Sequence, residues 1–234
     1  MNEKQFIEQL KLINIFIDKR QLEQFDQYYK LLIEWNEKIN LTAITDRDEV
    51  YLKHFYDSAS LTKIVDLKSE KTFCDVGSGA GFPGIVLKIL FPQLEVFLVD
   101  SLNKRVNFLN VVIDQLKLEK IIAIHSRIEE YALIEREKYD VVTARAVAPL
   151  NVLLECCFPM VKVGKSFIPM KGNISQEIKS SQNALKILNA EVIDVEEFRL
   201  PIEDSQRTLL KIRKNKKTDH KYPRKYSDIK KRPL

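Results

Sequence analysis

Hydrophobic spacing divides the chain into two regimes. In the first 66 residues apolar side chains return every three or four positions, the period of an amphipathic helix. Phe6, Ile7, Leu10, Ile13 and Ile17 predict a helix over 3–18, and Leu22, Phe25, Tyr29, Leu32, Trp35 and Ile39 a second over 22–39. Asn40 ends the second helix. Asp46-x-x-Glu49 then has the capping-box pattern that opens a third, to about Phe55, and a short helix follows to Val65. From Thr72 the pattern changes to short β-type runs (72–76, 94–99, 120–125, 139–145, 165–170) separated by helical ones (83–91, 102–116, 149–158, 175–188). This alternation predicts a doubly wound α/β fold on a parallel sheet. Two last runs, Glu191 to Phe198 and Arg207 to Arg213, have no long helix between them and predict a terminal antiparallel hairpin, for seven strands in all. The expected organisation is a helical extension over 1–66 packed on the core, an α/β domain over 67–213 and a tail over 214–234.

One turn in this pattern differs from the rest. Four of the six glycines (Gly77, Gly79, Gly81, Gly84) fall between Asp75 and Gly84, read D-V-G-S-G-A-G-F-P-G, between the first strand and its helix. Glycines here let the backbone turn tightly and approach a ligand, and the N–H groups at the helix start remain free to face it. The second strand closes on Asp100, 23 residues after Gly77 (100 − 77), near the ~20-residue spacing of a ribose-binding acid. Together these predict a site for a nucleoside-containing cofactor. Gly79-x-Gly81-x-x-Gly84 also satisfies the dinucleotide fingerprint, so a nicotinamide-dependent oxidoreductase stays open. Asp75 favours S-adenosylmethionine, because a carboxylate repels a pyrophosphate and attracts a sulfonium or ammonium.

Composition narrows the classes further. No apolar run approaches the ~18 residues that span a bilayer, and the acidic N-terminus lacks the order of a signal peptide, so a cytoplasmic protein is expected. Cys74, Cys156 and Cys157 form no disulfide framework, and His54, His125 and His220 have no metal-ligand spacing, so no metal is expected. The net charge of +5 is uneven. Residues 211–234 hold eleven Lys and Arg against two acids, a local +9, which leaves −4 on the rest. Such a block reads as a solvated tail that meets a polyanion, nucleic acid before membrane.

In an open α/β sheet the ligand lies beyond the carboxyl ends of the strands. Those ends carry Gly77 to Phe82, Asp100, Glu129 with Ile128, Arg145 and Lys171. Asp100 is placed on the ribose hydroxyls and Ile128-Glu129 beside the adenine. The fourth strand ends in Arg145-Ala-Val-Ala-Pro-Leu150, without the Asn/Asp-Pro-Pro-Tyr of amine methylators. No cysteine stands at a strand end to act as a nucleophile on carbon. What remains is a substrate atom that is already nucleophilic, such as a ring nitrogen with an in-plane lone pair, aligned rather than deprotonated.

Six segments in register carry a resemblance: Trp35-Asn36…Asn40-Leu-Thr-Ala-Ile44, His54-Phe-x-Asp57-Ser58, Asp75 to Gly84, Asp100-Ser101…Lys104-Arg105…Phe108-Leu109, Arg145 to Leu150 and Met170-Lys171-Gly172. Together they resemble the ribosomal small-subunit methyltransferase G family, also called glucose-inhibited division protein B. The resemblance covers essentially the whole chain, including Leu200-Pro201, Arg207 and Tyr222-Pro-Arg-Lys225. It implies a Rossmann-like class I S-adenosylmethionine-dependent methyltransferase acting on N7 of one guanine in 16S ribosomal RNA. Cofactor contacts are thereby carried onto Gly77, Phe82, Ile128, Glu129 and Arg145, beside Gly79 and Asp100 expected from the glycine turn and the strand-end acid, with Arg145 also a candidate for positioning substrate. Ile128 stands where many relatives have alanine, which tightens the pocket. RNA contacts are expected from Lys104, Arg105, Arg145, Lys171, Arg207, Arg224 and Lys225. Asn36, Asn40, His54 and Asp57 are expected at the mouth of the site, with His54 alternatively a buried histidine satisfied by Asp57. The partner implied is the small ribosomal subunit or its precursor, met by a monomer. A non-catalytic RNA-binding protein is the remaining alternative.

Overall fold

The computed structural model describes residues 1–172 and 174–234. Asn2 and Asp18, each followed by glutamine three residues on, close capping boxes at the starts of α1 (Glu3–Leu12) and α2 (Lys19–Ile39). α1 is shorter than its periodicity predicts. Asn14 enters the left-handed region (φ 59°) and turns the chain, so that Ile15 is buried beyond the helix. α2 ends where expected, with Asn40 left-handed at φ 50°. The next two predicted helices are one continuous segment. It runs as α3 (Arg47–Val50), widens into a π-turn over Tyr51–Tyr56, returns to α4 (Asp57–Ala59) and tightens to 3-10 geometry over Ser60–Lys63. A π-turn inserts a residue and re-aims the side chains around it, which is why such turns gather at functional sites.

The alternating region forms β1 (Thr72–Val76), α5 (Gly84–Leu90), β2 (Glu95–Asp100), α6 (Asn103–Gln115), β3 (Ile121–His125), α7 (Ile128–Ile134), β4 (Tyr139–Arg145), α8 (Leu150–Cys157) and β5 (Val161–Lys171). α9 (Ser175–Ser180), α10 (Gln182–Ile187), β6 (Ala190–Arg199) and β7 (Gln206–Lys214) complete it. The helix expected over 175–188 is divided at Ser181, and α7 is an additional short helix. The sheet order is β3-β2-β1-β4-β5-β7-β6, parallel through the first five strands, with β7 inserted antiparallel between β5 and β6. The order reverses at β1, which opens a crevice between the loops after β1 and β4.

Successive strand residues face opposite layers. Phe73, Val96, Leu98 and Val141 join one apolar cluster with Phe6, Phe25 and Tyr28 of α1 and α2, and with α5 and α6. Cys74, Val99, Val142 and Ala144 join the other, under α7, α8 and α10. The N-terminal helices thus cover one face of the sheet and reach the site from it.

The basic C-terminal segment is docked rather than solvated. Ile229 of α11 (Tyr226–Lys231) and Tyr222 are buried in the second cluster. Arg224 closes three hydrogen bonds at 2.6–3.0 Å on the fully buried carboxylate of Glu155 in α8. Arg136 donates to the carbonyls of Thr218 and Tyr222, both at 2.7 Å. Among the described residues no helix is long and apolar enough to cross a membrane.

Candidate functional site

The glycine turn is built from below. The side chain of Asp75, fully buried under the turn, accepts from the Gly84 N–H at 2.9 Å, while its second oxygen has no partner among the described residues. Burial pushes this carboxyl up to about 7, against the opposing pull of the Gly84 bond and of Arg145. Asp75 therefore lies beneath the site rather than on its wall. Gly77 and Gly79 have φ of 68° and 58°, a backbone state that side-chain-bearing residues rarely adopt. At Gly84 the reason for glycine is packing, since a Cβ there would overlap Leu98 and stand 2.9 Å from Asp75 Oδ2. Pro83 occupies the N-cap of α5, one position before the helix proper.

Asp100 ties the turn to β2. Its Oδ2 accepts from the Gly79 N–H and its Oδ1 from the Leu102 N–H, both at 2.9 Å, and Arg105 stands 3.5 Å away. Oδ1 keeps a lone pair for a further donor, whereas Oδ2 also accepts from Arg105 Nη1. The site-facing half of the turn is anchored from the N-terminal helices as well, where the Tyr28 hydroxyl donates to the Ala80 carbonyl at 2.5 Å.

Above the turn lies a cavity of about 720 Å³. Of the predicted cofactor residues, Gly77, Gly79, Phe82, Asp100, Ile128 and Arg145 line it. Glu129 does not: it is buried in the first turn of α7, with Arg127 3.9 Å away. Of the predicted RNA residues, Arg105, Arg145, Lys171 and Arg207 line the cavity, and Lys104 is exposed one residue from it. Lys171 is engaged, donating to the Ala148 carbonyl and to Glu177 at 3.0 Å.

Arg224 and Lys225 lie away from the cavity. Glu155 lies late in α8 and the Arg136 anchor precedes β4, so the segment docks near the strand ends opposite the cavity. β4 alone, seven residues, separates those ends by roughly 23 Å. Arg224 is spent on Glu155, whereas Lys225 is exposed.

The outer wall comes from the π-turn. Asp57, 5% exposed, accepts from Arg145 Nη1 at 3.1 Å on one oxygen and from Arg207 Nε at 2.8 Å on the other. Asp57 is thus committed to two arginines and does not satisfy His54. His54 instead stacks on Phe82 (centroids 4.5 Å apart, planes at 17°), with Nε2 2.9 Å from Thr42 Oγ1 and Nδ1 3.4 Å from Arg145 Nη2. An arginine can only donate, so Nδ1 is the accepting nitrogen and Nε2 carries the proton. Burial, helped by Arg145, lowers His54 to about 3, so it is neutral and a poor base. Asn36 and Asn40 act one step back from the mouth. Asn36 Oδ1 accepts from the Leu41 and Thr42 N–H groups at 2.7 and 2.8 Å, and so holds the 41–44 loop whose Leu41, Thr42 and Ile44 line the cavity. All three cysteines are buried and none lines the cavity.

The topology defines the class: a seven-stranded sheet with β7 reversed, and a glycine turn and acid at the switch point, make a class I methyltransferase of the Rossmann-like kind. Residues 21–209 match the family described as rRNA small subunit methyltransferase G. Ribosomal RNA small subunit methyltransferase G of Bacillus cytotoxicus is 49% identical over 100% of this chain and 99% of its own, and so is that of Bacillus cereus. This chain belongs to the rRNA small subunit methyltransferase G family. Among solved structures, a predicted O-methyltransferase from Agrobacterium tumefaciens aligns with a TM-score of 0.57 at 17% identity, over 68% of this chain and 81% of that one. A SAM-dependent methyltransferase from Aquifex aeolicus aligns at 0.55 and 17%, over 74% and 96%. M. jannaschii TYW2, solved with AdoMet, aligns at 0.55 and 15%, over 68% and 75%. These distant likenesses speak to the fold. Family membership makes the chain a methyltransferase and leaves the dinucleotide reading without support.

Proposed function

We propose that the chain transfers the methyl group of S-adenosyl-L-methionine to N7 of a guanine in 16S ribosomal RNA of the small subunit. One observation carries the choice of atom. Among the described residues the cavity wall has no cysteine and no group placed to act as a base, since its histidine is neutral and engaged at both nitrogens and its carboxylates, Asp57 and Asp100, already accept from cationic or backbone donors. Guanine N7 has a free in-plane lone pair and needs no proton removed before it attacks.

The residues present fit the cofactor. Asp75 has an unpaired buried oxygen, suited to a cationic group, and Gly79 leaves open space where a side chain would intrude. Gly77, Gly79, Phe82 and Ile128 would hold its nucleoside, Asp100 its ribose and Asp75 its amino end, with Glu129 contributing through backbone only. The bound cofactor supplies an electrophilic methyl on sulfur. Phe82, packed against His54 and 5.1 Å from the Arg145 guanidinium, gives the reacting centre an apolar wall. Arg145, fixed by Asp57 and the Lys53 carbonyl (3.2 Å), positions the substrate, with Arg105, Lys104 and Arg207 facing RNA at the mouth. Alignment and exclusion of water then account for the catalysis.

Deleting the gene and mapping small-subunit ribosomal RNA by mass spectrometry tests this reading. Loss of one 7-methylguanosine is expected, and an unchanged methylation pattern contradicts it.

The same reading makes a prediction for pH. In the free protein Asp75 holds a proton up to about 7, whereas the usual value is 3.8. A cation brought beside it favours the carboxylate and lowers that value. S-adenosylhomocysteine binding near pH 6.5 should therefore release protons, and affinity should rise as pH climbs from 5.5 to 7.5. Calorimetry in buffers of different ionisation enthalpy measures the release. Asp75→Asn is expected to abolish it.

A further inference from the structure

The cavity wall also bears on which base is chosen. Among the described residues its only two carboxylates are Asp100, below the cofactor half, and Asp57, below the other half. Asp57 takes Arg145 on one oxygen and Arg207 on the other and is nearly sealed from solvent. The substrate half therefore presents hydrogen-bond donors, with its acceptor neutralised.

The two arginines are not equivalent. Arg145 gives both Nη1 hydrogens to Asp57 and the Lys53 carbonyl and turns Nη2 toward His54 Nδ1, 3.4 Å away. Arg207 reaches in from β7, beyond β5. Its Nε is held by Asp57, and its Nη1 by Ser205 Oγ at 3.2 Å and the Gln206 carbonyl at 2.9 Å. Its Nη2 has no partner among the described residues. Met170 and Leu209 line the same part of the cavity and supply an apolar surface for a base.

A purine approaching through N7 shows one neighbouring group on the same edge. In guanine this is the O6 acceptor, and in adenine the N6 amino donor. A fixed guanidinium N–H pairs with the first. Against the second it leaves two donors facing each other with neither satisfied. Resting on the N7 reading above, we propose that Arg207 selects guanine by donating from Nη2 to O6, and that Asp57 is the positioning residue that aims it. Asp57 also offsets one of the two guanidinium charges beside a purine that becomes positive as it is methylated.

Small subunits reconstituted with a modified nucleotide at the target position test this. 2-Aminopurine keeps N7 and lacks O6, whereas inosine keeps both. The wild-type protein should methylate the guanine and inosine particles at comparable rates. On the 2-aminopurine particle kcat/KM should fall roughly ten- to hundredfold. Arg207→Gln should lose about that factor on guanine and no further factor on 2-aminopurine, with S-adenosylhomocysteine affinity unchanged, whereas Asp57→Asn, which also frees Arg145, should lose at least that factor on guanine and a further factor on 2-aminopurine. That coupling is a signature a purely structural residue does not produce. Equal wild-type rates on guanine and 2-aminopurine overturn the proposal, as do independent, multiplying losses in the Arg207→Gln protein. Should a variant fail to fold, the wild-type comparison of inosine with 2-aminopurine still decides whether O6 is read. If the wild-type protein leaves the guanine particle unmethylated at N7, the underlying reading fails instead, and the two failures are distinct.

Discussion

Asp100→Ala is expected to weaken S-adenosylhomocysteine binding by about 3 kcal/mol, roughly a hundredfold. Two losses combine. The carboxylate that would take the ribose hydroxyls is gone, and the Gly79 and Leu102 N–H groups lose the acceptor that fixes the glycine turn. Asp100→Asn separates them. Its amide oxygen still accepts from one backbone N–H, but its NH2 cannot accept from the second or from a hydroxyl, so an intermediate loss of roughly tenfold is expected. Titration calorimetry gives both values. Wild-type affinity in Asp100→Ala means that the ribose is held elsewhere.

Arg224→Ala is expected to destabilise the fold by about 3–5 kcal/mol, lowering Tm by roughly 6–20 °C. The cause is the carboxylate left behind. Glu155 is fully buried in α8, and Arg224 supplies its side-chain donors as well as a backbone N–H. Truncating the arginine strands a charge that cannot reach water without opening the packing around it. Replacing both members with methionine should recover most of the loss, because an apolar pair of similar volume leaves no charge to solvate. If thermal melts show Arg224→Ala near wild type, the segment does not dock as described and Arg224 is free to meet RNA.

That segment shows where sequence reading reaches its limit. Eleven cations in 24 residues predict solvation, and counting charge hides the two positions that decide otherwise. Tyr222 and Ile229 are apolar residues set in a basic run, and Glu155 is a lone acid in the apolar stretch Leu-Asn-Val-Leu-Leu-Glu-Cys-Cys. Each is a signal of docking, but joining them requires knowing that α8 and the tail meet. β1 to β4 and the glycine turn were legible because their patterns are local: short apolar β-type runs between helical ones, a cluster of glycines, an acid at a fixed remove. The reversed strand was legible from the missing helix between β6 and β7, though its insertion beside β5 was not.

The site divides in the same way. Gly77, Gly79, Phe82, Asp100, Ile128 and Arg145 surround the cavity as expected, because strand ends converge in any such sheet. His54 and Asp57 line the cavity, yet they do not pair with each other as the sequence suggests. Of their partners, Thr42 lies in the loop twelve residues before His54, but Arg145 and Arg207 lie 88 and 150 residues from Asp57. The π-turn that aims them leaves no periodicity to detect in six residues. Asp75 lies one layer below the cavity wall, because its strand position faces the α2 and α5 side of the sheet, where it accepts from the Gly84 N–H, and only its second oxygen is left for a cationic group.

Methylation of purified small subunits from a deletion strain tests the central claim most directly. With S-adenosylmethionine and the wild-type protein, digestion and mass spectrometry should find one added methyl group per particle, on N7 of a single guanine of 16S ribosomal RNA. Transfer to another atom or to no RNA atom at all, by a protein that binds S-adenosylhomocysteine normally, would contradict it.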